Sequence, residues 1–514
     1  MNNKHLIYQF ENFNFNEFIE TYKKLCTRTE IVIEPDDFIT EFTNISEEEQ
    51  RKIIQLKPRK PLLSNDKIKW KAIYLIHTLI YRFSSNESGK ASISSQILKS
   101  VIGKDYRYML DSLIEMKYIE KIIFLGSPSF VSLKYSTYYQ LCNGVKTHKE
   151  YTLNQTIIRY IEKTKSLIND YEKYINNQLS ELYGETFKNN YLKSLNQIKI
   201  YNNVGLKEFI KDDIKENLSK KPNLPKYYDY ILNNLKKGKF NIYNIDKSNR
   251  IYHIFTSLRS GLKQYLNIKF ILDIKNSHPL LFSYFIFNYY SISIKSAFNI
   301  IEYILFFKSH LDNSPNIHYV GKYLYIALKH NNIENESVAK LKPDQIEYIY
   351  LTATGRLWDL FLSNHPDIDK NDLKKIMFAQ VFYSSTQTLV WKEYGKEFND
   401  KFPNVYNIIK QWKIPEKNEC IKKYIENNNI VSDKQTSALP VAMMKLESSI
   451  FHDILVKLYN KRLTAFHIHD AIVIPNTKGN RKIDLDEIND IIKETYKSYG
   501  LIPTLSIDSY CNSN

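Results

Sequence analysis

The chain has 514 residues, 43% of them hydrophobic and 25% charged, which argues against wholesale disorder and leaves room for about three domains. Its 72 Lys and Arg outweigh 56 Asp and Glu, giving a formal net charge of +16. That balance favours a polyanionic partner, although a Lys-rich proteome from an AT-rich genome produces the same excess. With only 13 glycines, and neither G-x-G-x-x-G nor G-x-x-x-x-G-K-[ST] present, the two common nucleotide-binding fingerprints are absent and helices are favoured.

Cys26, Cys142, Cys420 and Cys511 lie far apart, with no C-x-x-C and no His cluster at zinc spacing. No disulfide framework is expected, and the expected compartment is a reducing, cytoplasmic one. The most apolar stretch, Leu280 to Ile294, is about 15 residues long and holds Asn288 and three serines, short of the roughly 20 residues a membrane span needs. It is read as a buried helix, and no membrane partner is expected.

Residues 1–60 are read as a mixed, partly acidic N-terminal extension, with the run Glu47-Glu48-Glu49 and a basic link, KPRKP, at Lys57 to Pro61. Over residues 61–145 the periodicity predicts three helices: one over WKAIYLIHTLIYRF, a short one over ISSQILKSVI ended by Gly103, and a third opened by Asp105. Two strands around a Gly126-Ser127-Pro128 turn follow. This order is that of a winged helix-turn-helix. Lys104 and Arg107 stand at the start of the third helix, where such helices meet DNA; a protein-interaction module of the same shape is the alternative. Residues 146–249 are helical, Lys-rich and Tyr-rich, with a break at Lys220 to Pro225. They serve either as a solvated connector or as a thumb gripping a duplex by charge.

Residues 250–514 carry the clearest chemistry, in three stretches. In KFILDIKNSHP an apolar strand ends in Asp273, where a carboxylate can hold a divalent metal on a rigid element or serve only as a turn residue. DKNDLKKIMFAQVFY reads as a helix in which Lys374, Phe378 and Phe382 fall at i, i+4 and i+8 on one face, with Lys370 a turn earlier. Such a face suits a triphosphate at one end and a base pair at the other; an ordinary core stripe with a solvated lysine has the same pattern. In LTAFHIHDAIVIP two short apolar strands flank His469-Asp470, which reads as a hairpin tip. The helix upstream carries Lys445 and Glu447.

Together, in this order, the three stretches resemble the palm and fingers of family A (DNA polymerase I-like) DNA polymerases, over about half the chain. Asp273 to His278 looks like motif A, Lys370, Lys374, Phe378 and Phe382 like motif B, and His469-Asp470 like motif C. The sequence departs from the family at His278, where the family has Glu, at Ala471, where it has the Glu of His-Asp-Glu, and at Phe382-Tyr383, where it has Tyr-Gly.

The resemblance implies a mainly α chain with an α+β palm, a small antiparallel sheet and helical fingers. It implies a template-directed DNA polymerase of a phage, plasmid or other mobile element, working on a primer-template and nucleoside triphosphates in a bacterial or phage-infected cell. A replication partner could dock through the N-terminal module. Two Mg²⁺ ions, or Mn²⁺, would be held by Asp273, Asp470 and the backbone of Ile274. Lys370, Lys374, Phe378, Phe382 and His278 would contact the nucleotide, and His469 and Arg259 the primer or template. A primase or RNA polymerase on the same palm, or a non-catalytic DNA-binding initiator or regulator, are the alternatives.

Overall fold

The computed structural model describes residues 5–27, 63–84, 91–92, 95–122, 138–141, 145, 147–152, 155–200, 204–219, 221, 224–238, 240–307, 320–383, 393–430, 438–480 and 484–509. The Glu47-Glu48-Glu49 run, the KPRKP link, the Gly126-Ser127-Pro128 turn, Cys142 and Cys511 lie outside them. Internal contacts divide the chain into two units. One is drawn from residues up to Tyr171 together with Glu208–Asn234, the other from Glu172–Lys207 and from Leu235 onward.

In the first unit, β1 (His5–Phe10) and α1 (Phe15–Thr27) come first, then α2 (Asn65–Ser84). Ile68, Ala72, Leu75, Ile76, Leu79, Ile80 and Phe83 recur at helical spacing along α2 and are all buried. After β2 (Ala91–Ser92) come α3 (Ser95–Ile102), α4 (Tyr106–Glu115), β3 (Ile119–Ile122) and β4 (Tyr138–Leu141). Gly103 ends α3 at φ +84°, a left-handed conformation that glycine adopts without steric cost. Strand β4 runs antiparallel between β2 and β3.

Two features differ from the sequence reading. Asp105 stands before α4 but makes no side-chain cap; its carboxylate instead pairs with Lys71 at 3.3 Å. And part of the expected N-terminal extension is built into the unit. β1 pairs antiparallel with β5 (Thr147–Thr152), and Phe10, Phe18, Ile19 and Tyr22 join Leu79, Met109, Leu113 and Ile161 in one core. Phe18 is completely buried, so Phe18→Ala is expected to destabilise this unit by about 3–5 kcal/mol. Denaturant unfolding of the full chain, with and without the substitution, measures it; a change below about 1 kcal/mol would mean that α1 is an appendage.

The 29-residue α5 (Gln155–Tyr183) follows, and the division between units falls inside it. Next come α6 (Glu185–Asn196), α7 (Val204–Asn217) and α8 (Leu224–Lys237). Residues 146–249 are therefore shared between the two units.

The second unit is organised by a four-stranded antiparallel sheet. β6 (Ile242–Ile245) and β7 (Ile251–His253) form a separate pair, followed by 3₁₀ turns at Ile254–Ser257 and Ser260–Tyr265. Then comes β8 (Ile268–Ile274), at the interior of the sheet. The sheet closes with β9 (Phe466–Ile468), β10 (Ala471–Pro475) and β11 (Leu505–Ser509), in the spatial order β11-β8-β10-β9.

Helices fill the long interval between β8 and β9. The expected buried helix is α9 (Ser277–Tyr289), apolar nearly all round, with Leu280, Leu281, Phe282, Phe285 and Ile286 buried. It is followed by α10 (Ile294–Phe306), α11 (Val320–His330), α12 (Asn335–Lys340), α13 (Pro343–Ala353) and α14 (Leu357–Leu362). Then come α15 (Lys370–Met377), α16 (Glu393–Lys401), α17 (Pro403–Lys413), α18 (Glu419–Asn427) and the 23-residue α19 (Ala438–Asn460). Helix α20 (Leu485–Lys497) lies between β10 and β11. α9 packs against both α13 and α19, which seats the first turn of α9 beside the sheet. No described helix is long and apolar enough to cross a membrane, and Cys26 and Cys420 are free thiols.

Candidate active site

Two strand ends bring the site together. β8 runs apolar until Asp273, and β10 starts directly after the His469-Asp470 tip. The register sets Ala471 opposite Asp273, and the Ile274 N–H donates to the Asp470 carbonyl at 3.1 Å. Two carboxylates separated by nearly 200 residues of chain thus meet at one end of a rigid sheet. His469 adopts φ +52°, which turns the chain at the tip, and its Nε2 lies 3.0 Å from the Thr256 carbonyl. A carbonyl only accepts, so the ring proton is on Nε2.

Burial pushes the Asp273 carboxyl up to about 7, helped by the Asp470 charge and opposed by the Lys374 and Lys263 ammonium groups. Burial also raises Asp470, with the Glu447 charge adding to it. The pair is short of positive charge, and its donors are hard oxygens. Both properties suit a divalent cation, and Mg²⁺ in particular is commonly held by one or two carboxylates with substrate phosphates completing its shell. Among the described residues no cluster of three or more His, Cys, Asp or Glu sits at metal-holding spacing. Glu447, the nearby third carboxylate, is otherwise engaged.

Glu447 projects from α19 and is 2% exposed. It accepts from the Arg250 guanidinium, with Nε at 2.9 Å, and from the Ser277 hydroxyl at 3.0 Å. Burial alone would raise its carboxyl, but Arg250 and His278 outweigh that and hold it well below the ordinary range. His278 Nε2 lies 2.8 Å from Arg250 Nη2 and 3.4 Å from Glu447 Oε1, and its Nδ1 meets the Tyr383 hydroxyl. His278 therefore faces a polar network rather than packing beneath the apolar run of α9.

Opposite the sheet, Asp369 caps α15 by accepting from the Asn371 N–H. After Met377 the helix widens into one π turn over Phe378–Phe382, closed by Tyr383 N–H to the Phe378 carbonyl at 2.8 Å. A π turn inserts one residue into the helical phase. The expected single face Lys374, Phe378, Phe382 is broken by it: Phe382 is fully buried against Phe282 and Phe398, and Tyr383 takes its place on the open side.

A cleft of about 460 Å³ lies between these elements. That volume is in the range of small-molecule sites. Asp273, Ile274, His278, Lys370, Lys374, Phe378, His469 and Asp470, all singled out from sequence, line it. So do Arg250, Lys275, Asn276, Gly355, Trp358, Asp359, Tyr383 and Glu447. Lys370 is ion-paired with Asp359. Arg259 and Phe382 do not line the cleft, and Lys104 and Arg107 belong to the first unit, where both are exposed at the start of α4.

Arg259, the expected primer or template contact, is half-buried and does not line the cleft, whereas Arg250, just before β7, does. The signal was the burial of Glu447 on an otherwise apolar helix face, since a buried carboxylate demands a cation. Lys263, whose charge acts on Asp273 and Asp470, was also missed.

No protein-family model matches the sequence, and no curated protein does. Among solved structures, the chain is similar to the "POL domain of Pol1 from M. smegmatis complex with DNA primer-template and dNTP". The identity is 10%, over 70% of this chain and 73% of that one, with a TM-score of 0.26. That likeness is too slight to carry an argument about the site.

Proposed function

We propose that the protein is a template-directed nucleotidyltransferase, adding deoxynucleotides to a primer 3′-hydroxyl in the replication of a phage, plasmid or other mobile element. The observation that carries the reading is the pairing of Asp273 and Asp470 at adjoining strand ends, facing Lys374 across a nucleotide-sized cleft. When bound at the two carboxylates, Mg²⁺ supplies acidity to the attacking hydroxyl and neutralises polyphosphate charge. The chain's own groups do the rest. Asp273 and Asp470 present oxygen donors from a sheet that does not need to reorganise. Lys374 and Lys370 offer positive charge to the phosphates, strongest where negative charge grows in the transition state. Phe378 and Tyr383 give aromatic surface for a base or sugar, and His469 stands beside the primer end. The exposed Lys104 and Arg107 of the first unit, read as a winged helix, would hold duplex DNA.

Extension of a 5′-labelled primer on a complementary template tests the reading. Elongation with Mg²⁺, lost with EDTA and lost in Asp273→Asn, is the expected result. No elongation with either dNTPs or NTPs leaves the DNA-binding regulator as the better account.

Sugar choice is a separate expectation. His278 lines the cleft with its ring fixed between Arg250 and Tyr383, where it can crowd a ribose; both ring nitrogens are engaged there, so a 2′-hydroxyl would gain a hydrogen bond from the ring only by displacing one of those partners. A modest preference for dNTPs is expected, and His278→Ala weakens it further. kcat/KM for dATP and ATP in both proteins measures it; an unchanged ratio would show that His278 does not read the sugar.

A further inference from the structure

We infer that His253 and Thr256 are positioning residues for the primer end: together they fix His469 at the hairpin tip, and through it the place of the primer 3′ terminus beside Asp273 and Asp470. The inference rests on the nucleotidyltransferase reading and assigns to that site two residues that do not line the cleft.

The tip needs support from outside its own sheet. β9, which leads into it, is three residues long and stands at the sheet edge, so it has a partner strand on one side only. Its remaining ties come from side chains on other elements. Just before it, the Ala465 N–H donates to the Ser194 hydroxyl at 3.2 Å, and within it His467 Nδ1 lies 3.3 Å from the Tyr191 hydroxyl. His253 Nε2 lies 3.1 Å from the His467 carbonyl. A carbonyl only accepts, so the His253 ring carries a proton on Nε2 and donates it. Burial lowers that imidazole to about 3, so the ring is neutral, and its Nδ1 has no partner among the described residues. His253 is completely buried among the rings of Tyr191, Phe255 and Phe466. An apolar ring would fill that place at less cost, so what the histidine adds is the tie to β9.

The second half of the support is the 3₁₀ turn Ile254–Ser257, which starts at His253. Thr256 closes it: the hydroxyl donates to the His253 carbonyl at 2.6 Å and accepts from the His253 N–H at 3.2 Å. Ile254 and Phe255 are buried, and Phe255 packs on Phe240 and Phe466, which pins the turn to the core. The Thr256 carbonyl then receives the His469 ring. One short segment thus holds the tip at two points, the strand before it through His253 and the histidine in it through Thr256. His469 depends on that hold. Its left-handed backbone is costly for a non-glycine residue, and its side chain is exposed on the cleft. Without the Thr256 carbonyl the ring would be free to change rotamer, and the place where it meets the primer end would spread.

The test compares two DNAs in equilibrium binding to the full chain, by fluorescence anisotropy with Mg²⁺ and no nucleotide. One is a recessed primer-template; the other is a duplex of the same length closed by loops, which has no 3′ end at a template. The wild type is expected to prefer the recessed end. His253→Leu removes the tie to β9, and Thr256→Val keeps the side-chain shape without the hydroxyl. Each is expected to lower the preference about five- to tenfold, with closed-duplex and dATP binding unchanged. His253→Gln, which carries an N–H at a similar reach, and Thr256→Ser, which keeps the hydroxyl, are expected to retain it. Added to His469→Ala, Thr256→Val should have no further effect, because it acts through that ring.

Primer extension is run in parallel. Extension by the wild type, with both loss variants keeping the full preference, overturns the positioning and leaves the enzyme reading intact. Equal weakening of both DNAs, in step with a lowered melting temperature, also overturns it and gives the two residues a purely structural role. So does an additive loss in the double variant, or a wild type that binds both DNAs alike. A preference that depends on His253 and Thr256, in a protein that extends no primer, overturns the enzyme reading and keeps the two residues as holders of a DNA end.

Discussion

Asp470→Asn is expected to lower nucleotide incorporation by about a thousandfold or more and, at the same time, to raise the melting temperature of the metal-free protein at pH 8. The loss follows from removing one of two charged donors at the cation site. The gain follows from the same charge. Burial and the Asp470 carboxylate push Asp273 up to about 7, so two ionised carboxyls side by side are a liability to the fold. Fully converted, a displacement of that size is about 4 kcal/mol. The cleft is open to water, and screening leaves about 1–2 kcal/mol, or a few degrees.

The sign fixes the pH dependence. A carboxyl with a raised folded pKa lowers stability fully at pH values above that pKa; the penalty shrinks as pH falls through it and is gone only below the unfolded value of about 4. The advantage of Asp470→Asn should therefore be full at pH 8 and shrink progressively below about pH 7, disappearing near pH 4. Mg²⁺ should stabilise the wild type by mass action and leave the variant nearly unchanged. Thermal unfolding at both pH values, with and without Mg²⁺, measures all of this. A variant less stable than the wild type at pH 8 would contradict the repulsion between the two carboxyls.

Glu447→Gln is expected to cost about 3–5 kcal/mol of stability, the largest loss from any single polar substitution in the site. The substitution leaves the Arg250 guanidinium, itself mostly buried, without its counter-charge, and weakens the anchors of Ser277 and His278. Because Arg250 and His278 hold the Glu447 carboxyl below the ordinary range, its contribution is present at and above the ordinary carboxylate pKa and fades only in stronger acid. The deficit of the variant should thus be constant from pH 8 to about pH 5. Denaturant unfolding across that range checks it. A deficit under about 1 kcal/mol, or one confined to high pH, would mean that the ion pair is not what holds α19 to the first turn of α9.

Local chemistry was legible in the sequence, and long-range pairing was not. The apolar runs ending at Asp273 and flanking His469-Asp470 have the composition of short buried strands, and both are strands. The all-round apolar character of α9 announced a buried helix in the same way. The π turn was invisible, because a one-residue insertion changes no residue type; it alone moved Phe382 into the core and Tyr383 to the cleft. The Arg250–Glu447 pair joins positions 197 apart, and periodicity carries no information at that range. β1 and α1 were missed because β1 is a short run that includes His5 and Gln9, and the apolar residues of α1 are interspersed with Asn, Glu, Thr and Lys; only pairing with β5 and the packing of Phe18 reveal them as core.

The central claim is that the Asp273–Asp470 site joins nucleotides under the direction of a template. Single-nucleotide incorporation opposite each of the four template bases, with Mg²⁺ and one dNTP at a time, tests it most directly. The account expects the complementary nucleotide to be added opposite each base, and nothing to be added by Asp273→Asn or Asp470→Asn. Addition of the same nucleotide whatever the template base, or undiminished addition by either variant, would contradict it.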